Sequence, residues 1–274
     1  MTEVDNFEAL DFAKSKHYTL SVHLCTDAFY FSVQSPLNTS DADGNSPMCK
    51  LWLRRETDET LSLTANIKQI FQREHFLNNS FKRVNIVIET ARYSLIPFEL
   101  FEDEQGAEMR KYTLTPQDNE CELHCILPRS NVAIAFGMDK FAHAWLLDLY
   151  PDARFYCQLA PLTEYFCAQN REKDAPELYA EVHAHTMNLM SFNRGILTLA
   201  NTFTFQSEED LCYYLLSVWQ SLDLQPARHH LHLAGSPTIL KETSPKLRRF
   251  LRFVTLIESD ENESFTLKCL NQCE

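Results

Sequence analysis

The order of strands and helices in this chain is written twice. Between residues 178 and 237 the sequence reads as three strands (Leu178–His185, Thr186–Asn193 and Ile196–Phe205). A helix over Glu208–Leu222 follows, then a strand through Leu231-His232-Leu233-Ala234-Gly235-Ser236-Pro237. The same succession opens the chain: strands Tyr18–Cys25, Phe29–Gln34 and Lys50–Arg55, a helix over Leu61–Phe76, and a strand at Val84–Glu89. Leu20, Val22 and Leu24 alternate with Ser21, His23 and Cys25, the period-two pattern of a half-buried strand. Leu63, Ile67, Ile70, Phe71 and Leu77 fall on one helical face, the spacing of a helix lying on a sheet. A strand that returns after such a crossover is expected to run parallel to the first. Two copies of this order restrict the chain to a duplicated α/β architecture.

The segments between the copies read less regularly. Residues 91–127 are an expected small insertion: Arg92–Phe101, an acidic turn over Glu102–Glu108, then strand-like Tyr112–Thr115 and Glu122–Leu127. Val132–Phe136 reads as a strand, and Met138–Tyr150 as a helix with Phe141, Trp145, Leu146 and Leu149 inward. Arg154–Leu159 reads as a strand and Pro161–Ala168 as a helix opened by proline, which the first turn tolerates. Gln169–Pro176, half of it charged, is the linker, so the expected halves are residues 1–168 and 169–274. In the second half Ser207 is a helix cap followed by Glu208, Glu209 and Asp210, carboxylates suited to the positive end of a helix. Ser236-Pro237 and Ser244-Pro245 read as successive helix starts, with Phe253–Ile257 and Phe265–Leu270 as closing strands. The clusters Phe29-Tyr30-Phe31 and Cys212-Tyr213-Tyr214 are assigned to the core.

Composition excludes several function classes. A chain of 274 residues buries roughly 75% of its unfolded surface, enough for two cores. Lys and Arg number 25 against 38 Asp and Glu, a net charge of −13, which argues against general binding to phosphate backbones. No apolar run approaches the roughly 20 residues of a membrane-spanning helix, and the acidic N-terminus lacks a signal pattern. Nine cysteines without framed spacings read as reduced thiols, so a cytoplasmic location is expected.

Two such halves joined by a crossing helix resemble the actin-like ATPase superfamily, whose halves are each ribonuclease-H-like. More narrowly, Ile96-Pro97-Phe98-Glu99-Leu100, the strand Val132–Phe136, the helix Met138–Tyr150 and Leu159-Ala160-Pro161-Leu162 resemble the actin-like components of type IV pilus and type II secretion assemblies. The chain as a whole is similar to an uncharacterised bacterial family carrying that fold. The resemblance implies two mixed sheets flanked by helices, a small subdomain inserted in the first half, and a protein or peptide partner. It also implies where a nucleotide would sit.

A triphosphate in this superfamily needs glycine-containing hairpin turns whose amides approach phosphate, with carboxylates nearby to hold hydrated Mg²⁺. The first turn here is Leu24-Cys25-Thr26-Asp27-Ala28, with a hydroxyl and an acid but no glycine. The second, Val182-His183-Ala184-His185-Thr186-Met187, has neither acid nor glycine. At the third, Leu233-Ala234-Gly235-Ser236, Pro237 follows and removes an amide donor. The expectation is a non-catalytic interaction or scaffold protein with a degenerate ATPase fold and no cofactor. The alternative is a weak or conditional ATP–Mg²⁺ binder, an ATPase or kinase-like enzyme, using Thr26, Asp27, Gly235 and Ser236.

Two further groups stand out. His183 with His185, and His230 with His232, each share a strand face, and four imidazoles suit zinc if the strands are neighbours. Satisfied sheet-face histidines are the commoner arrangement, and no metal is expected. Lys246, Arg248, Arg249 and Arg252 form the basic side of a helix over Lys246–Arg252, above an expected buried stripe of Leu247, Phe250 and Leu251. In an acidic protein that side is a candidate partner surface.

Overall fold

The computed structural model describes residues 10–35, 49–101 and 117–273. The chain begins with β1 (Thr19–Leu24), β2 (Ala28–Gln34) and β3 (Cys49–Glu56), then helix α1 (Leu63–Arg73) and β4 (Arg83–Ile88). Ser62 caps α1 by accepting the Ala65 amide at 3.2 Å. Three strands follow, β5 (Tyr93–Pro97), β6 (Glu120–Leu127) and β7 (Val132–Asp139), before α2 (Lys140–Leu149), β8 (Arg154–Cys157) and α3 (Leu159–Asn170). The second half is β9 (Glu177–Val182), β10 (Thr186–Asn193), β11 (Ile196–Thr204), α4 (Glu208–Ser221), β12 (His230–Gly235), α5 (Pro237–Leu247), β13 (Phe253–Leu256) and α6 (Phe265–Cys273).

The two large sheets are wound alike. The first has the order β3-β2-β1-β4-β8 and the second β11-β10-β9-β12-β13. In each, the first three strands are antiparallel, and the strand after the crossover helix lies parallel to the first. The duplicated α/β architecture expected from the sequence is therefore the fold. The small sheet, β5-β7-β6, is antiparallel and takes β7 as its central strand. The insertion thus extends beyond residues 91–127, because Val132–Asp139 pairs on both edges within it. The turn Glu102–Glu108 and the strand-like Tyr112–Thr115 lie outside the described residues.

Several local expectations are corrected. Phe265–Leu270 is helical, not a strand: its apolar positions fit a helix as well as an alternation, and Ser264 Oγ accepts the Leu267 amide at 3.2 Å to start the turn. Ser236-Pro237 opens α5, but Ser244-Pro245 lies inside its last turn. Lys246 and Leu247 end that helix and residues 248–250 form turns, so no basic helix runs to Arg252. Leu247 and Leu251 are buried as expected, whereas Phe250 is 61% exposed. Phe141 and Tyr213 also face solvent. β1 is not half-buried: Ser21, His23 and Cys25 are as deeply enclosed as Leu20, Val22 and Leu24.

The enclosure comes from helices that cross between the halves. Along α3, Leu159, Ala160, Leu162, Phe166 and Cys167 are all buried, and so are Thr163 and Asn170. Phe166 stacks on Tyr179 of β9 at 4.5 Å between ring centroids and on Phe265 of α6 at 5.8 Å. α6 returns the contact, since Leu267 and Leu270 pack with Cys25, Ala28, Tyr30 and Val87 of the first half. The Tyr150 hydroxyl, at the end of α2, donates to the Leu77 carbonyl after α1. Among the described residues, no helix is long and apolar enough to cross a membrane. Phe166→Ala removes the ring shared by α3, β9 and α6, and is expected to cost about 3–5 kcal/mol. Urea unfolding of the variant against wild type measures it, and a loss under 1 kcal/mol would contradict the shared-core arrangement.

Candidate functional site

The carboxyl ends of β1, β4 and β9 meet where the halves touch, and their polar side chains form one network. His23 is wholly buried, and its Nδ1 lies 2.8 Å from Ser264 Oγ at the start of α6. Its Nε2 is 3.5 Å from Cys25 Sγ and 3.4 Å from Glu89 Oε2. Glu89 Oε1 accepts from Thr186 Oγ1 at 3.2 Å and Asn188 Nδ2 at 3.0 Å. On the other side, Glu181 accepts from Thr266 Oγ1 at 2.7 Å and from Asn188 Nδ2 at 2.9 Å. His183 Nε2 lies 2.8 Å from Glu181 Oε1 and 4.0 Å from Glu89 Oε2. Gln158, at the start of α3, extends the network through Asn188 Oδ1 and the Thr90 carbonyl, at 3.1 and 2.6 Å.

The charges in this network are held by one another. Burial alone would discharge His183, but the carboxylates of Glu181, Glu89 and Asp27 outweigh it and raise its pKa. Burial likewise opposes ionisation of Glu181, and His183 holds its pKa down. Burial pushes the Cys25 thiol up, with Glu89 and Asp27 adding to it, so this thiol is not an activated nucleophile.

Above the network is a cavity of about 270 Å³, lined by Asp27, Tyr30, Arg54, His183, Gly235 and Ser236 among others. Three of the four sequence candidates for nucleotide binding therefore converge. Thr26 does not line that cavity; it is exposed and its carbonyl accepts from Thr57 Oγ1 at 2.5 Å. Asp27 is 3.8 Å from Arg54, whose Nε donates to the Tyr30 hydroxyl at 3.4 Å. Gly235 has φ of 109°, and a Cβ there would stand 2.1 Å from the Val182 carbonyl oxygen. The close approach of β12 to β9 thus accounts for this glycine. The next amide, Ser236 N–H, donates to that same carbonyl at 2.8 Å, and the Gly235 carbonyl accepts from Ser259 Oγ at 2.9 Å. The rim adds Asp260, Glu261 and Glu263.

The four candidate histidines do not converge. β12 pairs with β9 in parallel, with His230 opposite Glu177 and His232 opposite Tyr179, while His183 follows the far end of β9. His185 is exposed at the β9–β10 turn. His230 and His232 group instead with Glu177. The basic candidates are dispersed: Lys246 is paired with Glu208 and Glu209 at 2.5 and 2.9 Å, Arg248 donates to the Val254 carbonyl, and Arg252 lies over the Phe253 ring. Arg249 is exposed.

Sequence reasoning overlooked His23, Glu89, Glu181, Asn188 and Gln158. A signal existed: Glu89 ends, and Glu181 interrupts, an otherwise apolar strand, at the strand ends where α/β folds place ligand sites.

The sequence profile of a family described as "Protein of unknown function (DUF3822)" matches residues 7–254. The chain belongs to this family. A crystal structure of a Bacteroides thetaiotaomicron protein, described as having an actin-like ATPase fold and unknown function, is 38% identical. It covers 97% of this chain and 99% of its own, with a TM-score of 0.87. The fold is thus that of the actin-like ATPases. A structure of the PilM–PilN type IV pilus biogenesis complex is similar in fold alone, at 13% identity and a TM-score of 0.56 over 88% of each chain. No sequence among curated proteins matches this family member.

The second histidine group gives a pH test. Glu177 is buried; burial opposes its ionisation, but His232 at 3.3 Å and the Tyr179 hydroxyl donating at 2.6 Å bring its pKa from 4.5 to about 2. Its folded value is the lower one, so the stability it contributes is complete above about pH 4.5 and is lost as pH falls through about 2. Glu177→Gln is expected to lower stability at pH 7 by on the order of 3 kcal/mol and to flatten the acid limb of the profile. Urea unfolding between pH 7 and pH 3 measures both, and an acid limb unchanged in the variant would contradict the assignment.

Proposed function

We propose that this protein is a non-catalytic, cytoplasmic interaction module, an actin-like ATPase scaffold whose nucleotide cleft is closed by its own side chains. The carrying observation is the charge of that cleft. Asp27 lines it, Asp260, Glu261 and Glu263 rim it, and Glu89 and Glu181 are buried beneath it, with Arg54 already engaged by Asp27 and Tyr30. A triphosphate brought there meets carboxylates in a low-dielectric setting, where like charges repel strongly. The Ser236 amide, which a phosphate would use, is spent on Val182, and Pro237 has none to offer.

The partner reading rests on a different surface. Beside the root of the inserted sheet, a pocket of about 490 Å³ is lined by Ile126, Leu127 and Tyr156 together with Arg83, Arg129 and Arg154. In a chain of net charge −13, this local basic and apolar lining suits an acidic peptide carrying an apolar anchor. A protein of this fold occurs in the PilM–PilN complex, a precedent for partner binding on such a scaffold. Conditional ATP binding is the second reading, because Asp27, Gly235 and Ser236 line one cavity.

Thermal unfolding with and without millimolar Mg·ATP separates the two. The expectation is no shift; a ligand at 100 times its dissociation constant would stabilise by about 2.7 kcal/mol. A clear shift that disappears in Asp27→Ala overturns the non-catalytic reading. For the partner surface, Arg129→Glu with Arg154→Glu should abolish co-purification of proteins retained by the wild type without lowering the melting temperature. Retention of the same proteins would exclude this pocket.

A further inference from the structure

The buried network contains a contact that hydrogen bonding leaves unresolved. Glu89 Oε2, on a side chain only 3% exposed, has no hydrogen-bond partner, whereas His183 Nε2 lies 2.8 Å from Glu181 Oε1. Both rings bring Nε2 close to this oxygen, His23 at 3.4 Å and His183 at 4.0 Å, without aligning an N–H on it. An enclosed carboxylate oxygen without a hydrogen bond, with two imidazoles and a thiol grouped around it, has the donor arrangement of a cation site. Ser264 Oγ already accepts the Leu267 amide and lies 2.8 Å from His23 Nδ1. If it also takes the Nδ1 proton, His23 Nε2 is left as a lone pair facing Glu89 and Cys25.

We propose that His23, Cys25, Glu89 and His183 are the four ligands of a zinc ion that joins the two halves of the fold. Two imidazoles, a thiol and a carboxylate are the donor set that Zn²⁺ takes in tetrahedral sites. With zinc–nitrogen and zinc–oxygen bonds near 2.0–2.1 Å and a zinc–sulfur bond near 2.3 Å, tetrahedral edges are about 3.3 Å between N or O ligands and about 3.6 Å to sulfur. The edge from His23 to Glu89 is 3.4 Å and that from His23 to Cys25 is 3.5 Å. The edge from His183 to Glu89 is 4.0 Å, and all four ligand atoms lie within 4.8 Å of one another. Closing the set around an ion asks its members for shifts of up to about 1.5 Å, the excess of 4.8 Å over a tetrahedral edge.

The surroundings have the form of a metal site's outer shell. Ser264 orients His23, and Thr186 and Asn188 fix the Glu89 carboxylate through its other oxygen, while Glu181 Oε1, 2.8 Å from His183 Nε2, is the contact that the ion would displace. His183 also lines the cavity above, which gives the ion a route from solvent. The bookkeeping of protons is simple: Cys25 releases its thiol proton and His183 its imidazolium proton as the bonds to Zn²⁺ form, and both pass to solvent. Three ligands come from the first half and one from the second, so the ion would fasten β1 and β4 to the β9–β10 turn. This site does not depend on the partner reading.

The test uses full-length protein stripped with a chelator and then titrated with Zn²⁺ or Co²⁺. Expected are stoichiometric zinc retained through dialysis, a higher melting temperature, proton release on binding, and a thiolate-to-cobalt charge-transfer band. Cys25→Ser should remove that band, and Glu89→Gln should weaken binding while keeping the shape of the site. Ser264→Ala, acting through His23, should weaken binding roughly 10–100-fold. His185→Ala and His232→Gln, outside the four, should leave the wild-type spectrum and stoichiometry unchanged. Failure of the folded wild type to retain zinc overturns the proposal. So does a cobalt spectrum that persists in Cys25→Ser or vanishes in His232→Gln, which would place the metal at the Glu177 cluster.

Discussion

A helix with almost no solvent-facing side holds this molecule together. α3 leaves β8 of the first sheet and runs beneath β10 of the second, with Leu162, Phe166 and Asn170 buried along its length. Its contacts are not those of a linker: the rings of Phe166, Tyr179 and Phe265 stack across three elements drawn from both halves. Burial of this kind is non-directional and large, so it fixes how closely the two sheets approach. Once the approach is fixed, the side chains enclosed between the strand ends are largely withdrawn from bulk water, and their polar groups must satisfy one another.

The polar network follows from that constraint. His23, Glu89, Glu181 and His183 would be ordinary surface residues on an isolated half. Between the halves they are enclosed, and the Glu181–His183 pair survives as ions because each stabilises the other. Removing one member leaves a buried charge uncompensated, which costs far more than the pair contributes. The fold of the actin-like ATPases thus carries a buried polar network beneath the cavity between its halves. At the edge of that cavity Gly235 is required by the backbone of Val182.

The duplicated architecture was legible because it is a matter of order and period. Strand alternation, helical spacing and caps such as Ser207 are encoded locally, and the strands fall within a few residues of the positions read from them. What was not legible depends on contacts between distant segments. The alternation along β1 reads as a face open to solvent, and only the position of α6 reveals that Ser21 and His23 are covered. Phe265–Leu270 carries both strand and helix periods within six residues, so the choice is made by packing against α3. The pairing of His183 with His23 and Glu89 spans separations of 160 and 94 residues along the chain, beyond any spacing rule. The conditional grouping of His183 with His230 and His232 is excluded by register alone.

The seating of α6 on the first sheet bears on how the chain is made. α6 is the last described element, yet Leu267 and Leu270 pack on Cys25, Tyr30 and Val87, and Ser264 meets His23. A nascent chain emerging from the ribosome therefore carries an incompletely covered first sheet until α6 has been translated. Folding cannot proceed to completion one half at a time, and a chaperone that shields the waiting face of β1 would act on the interval between the two events.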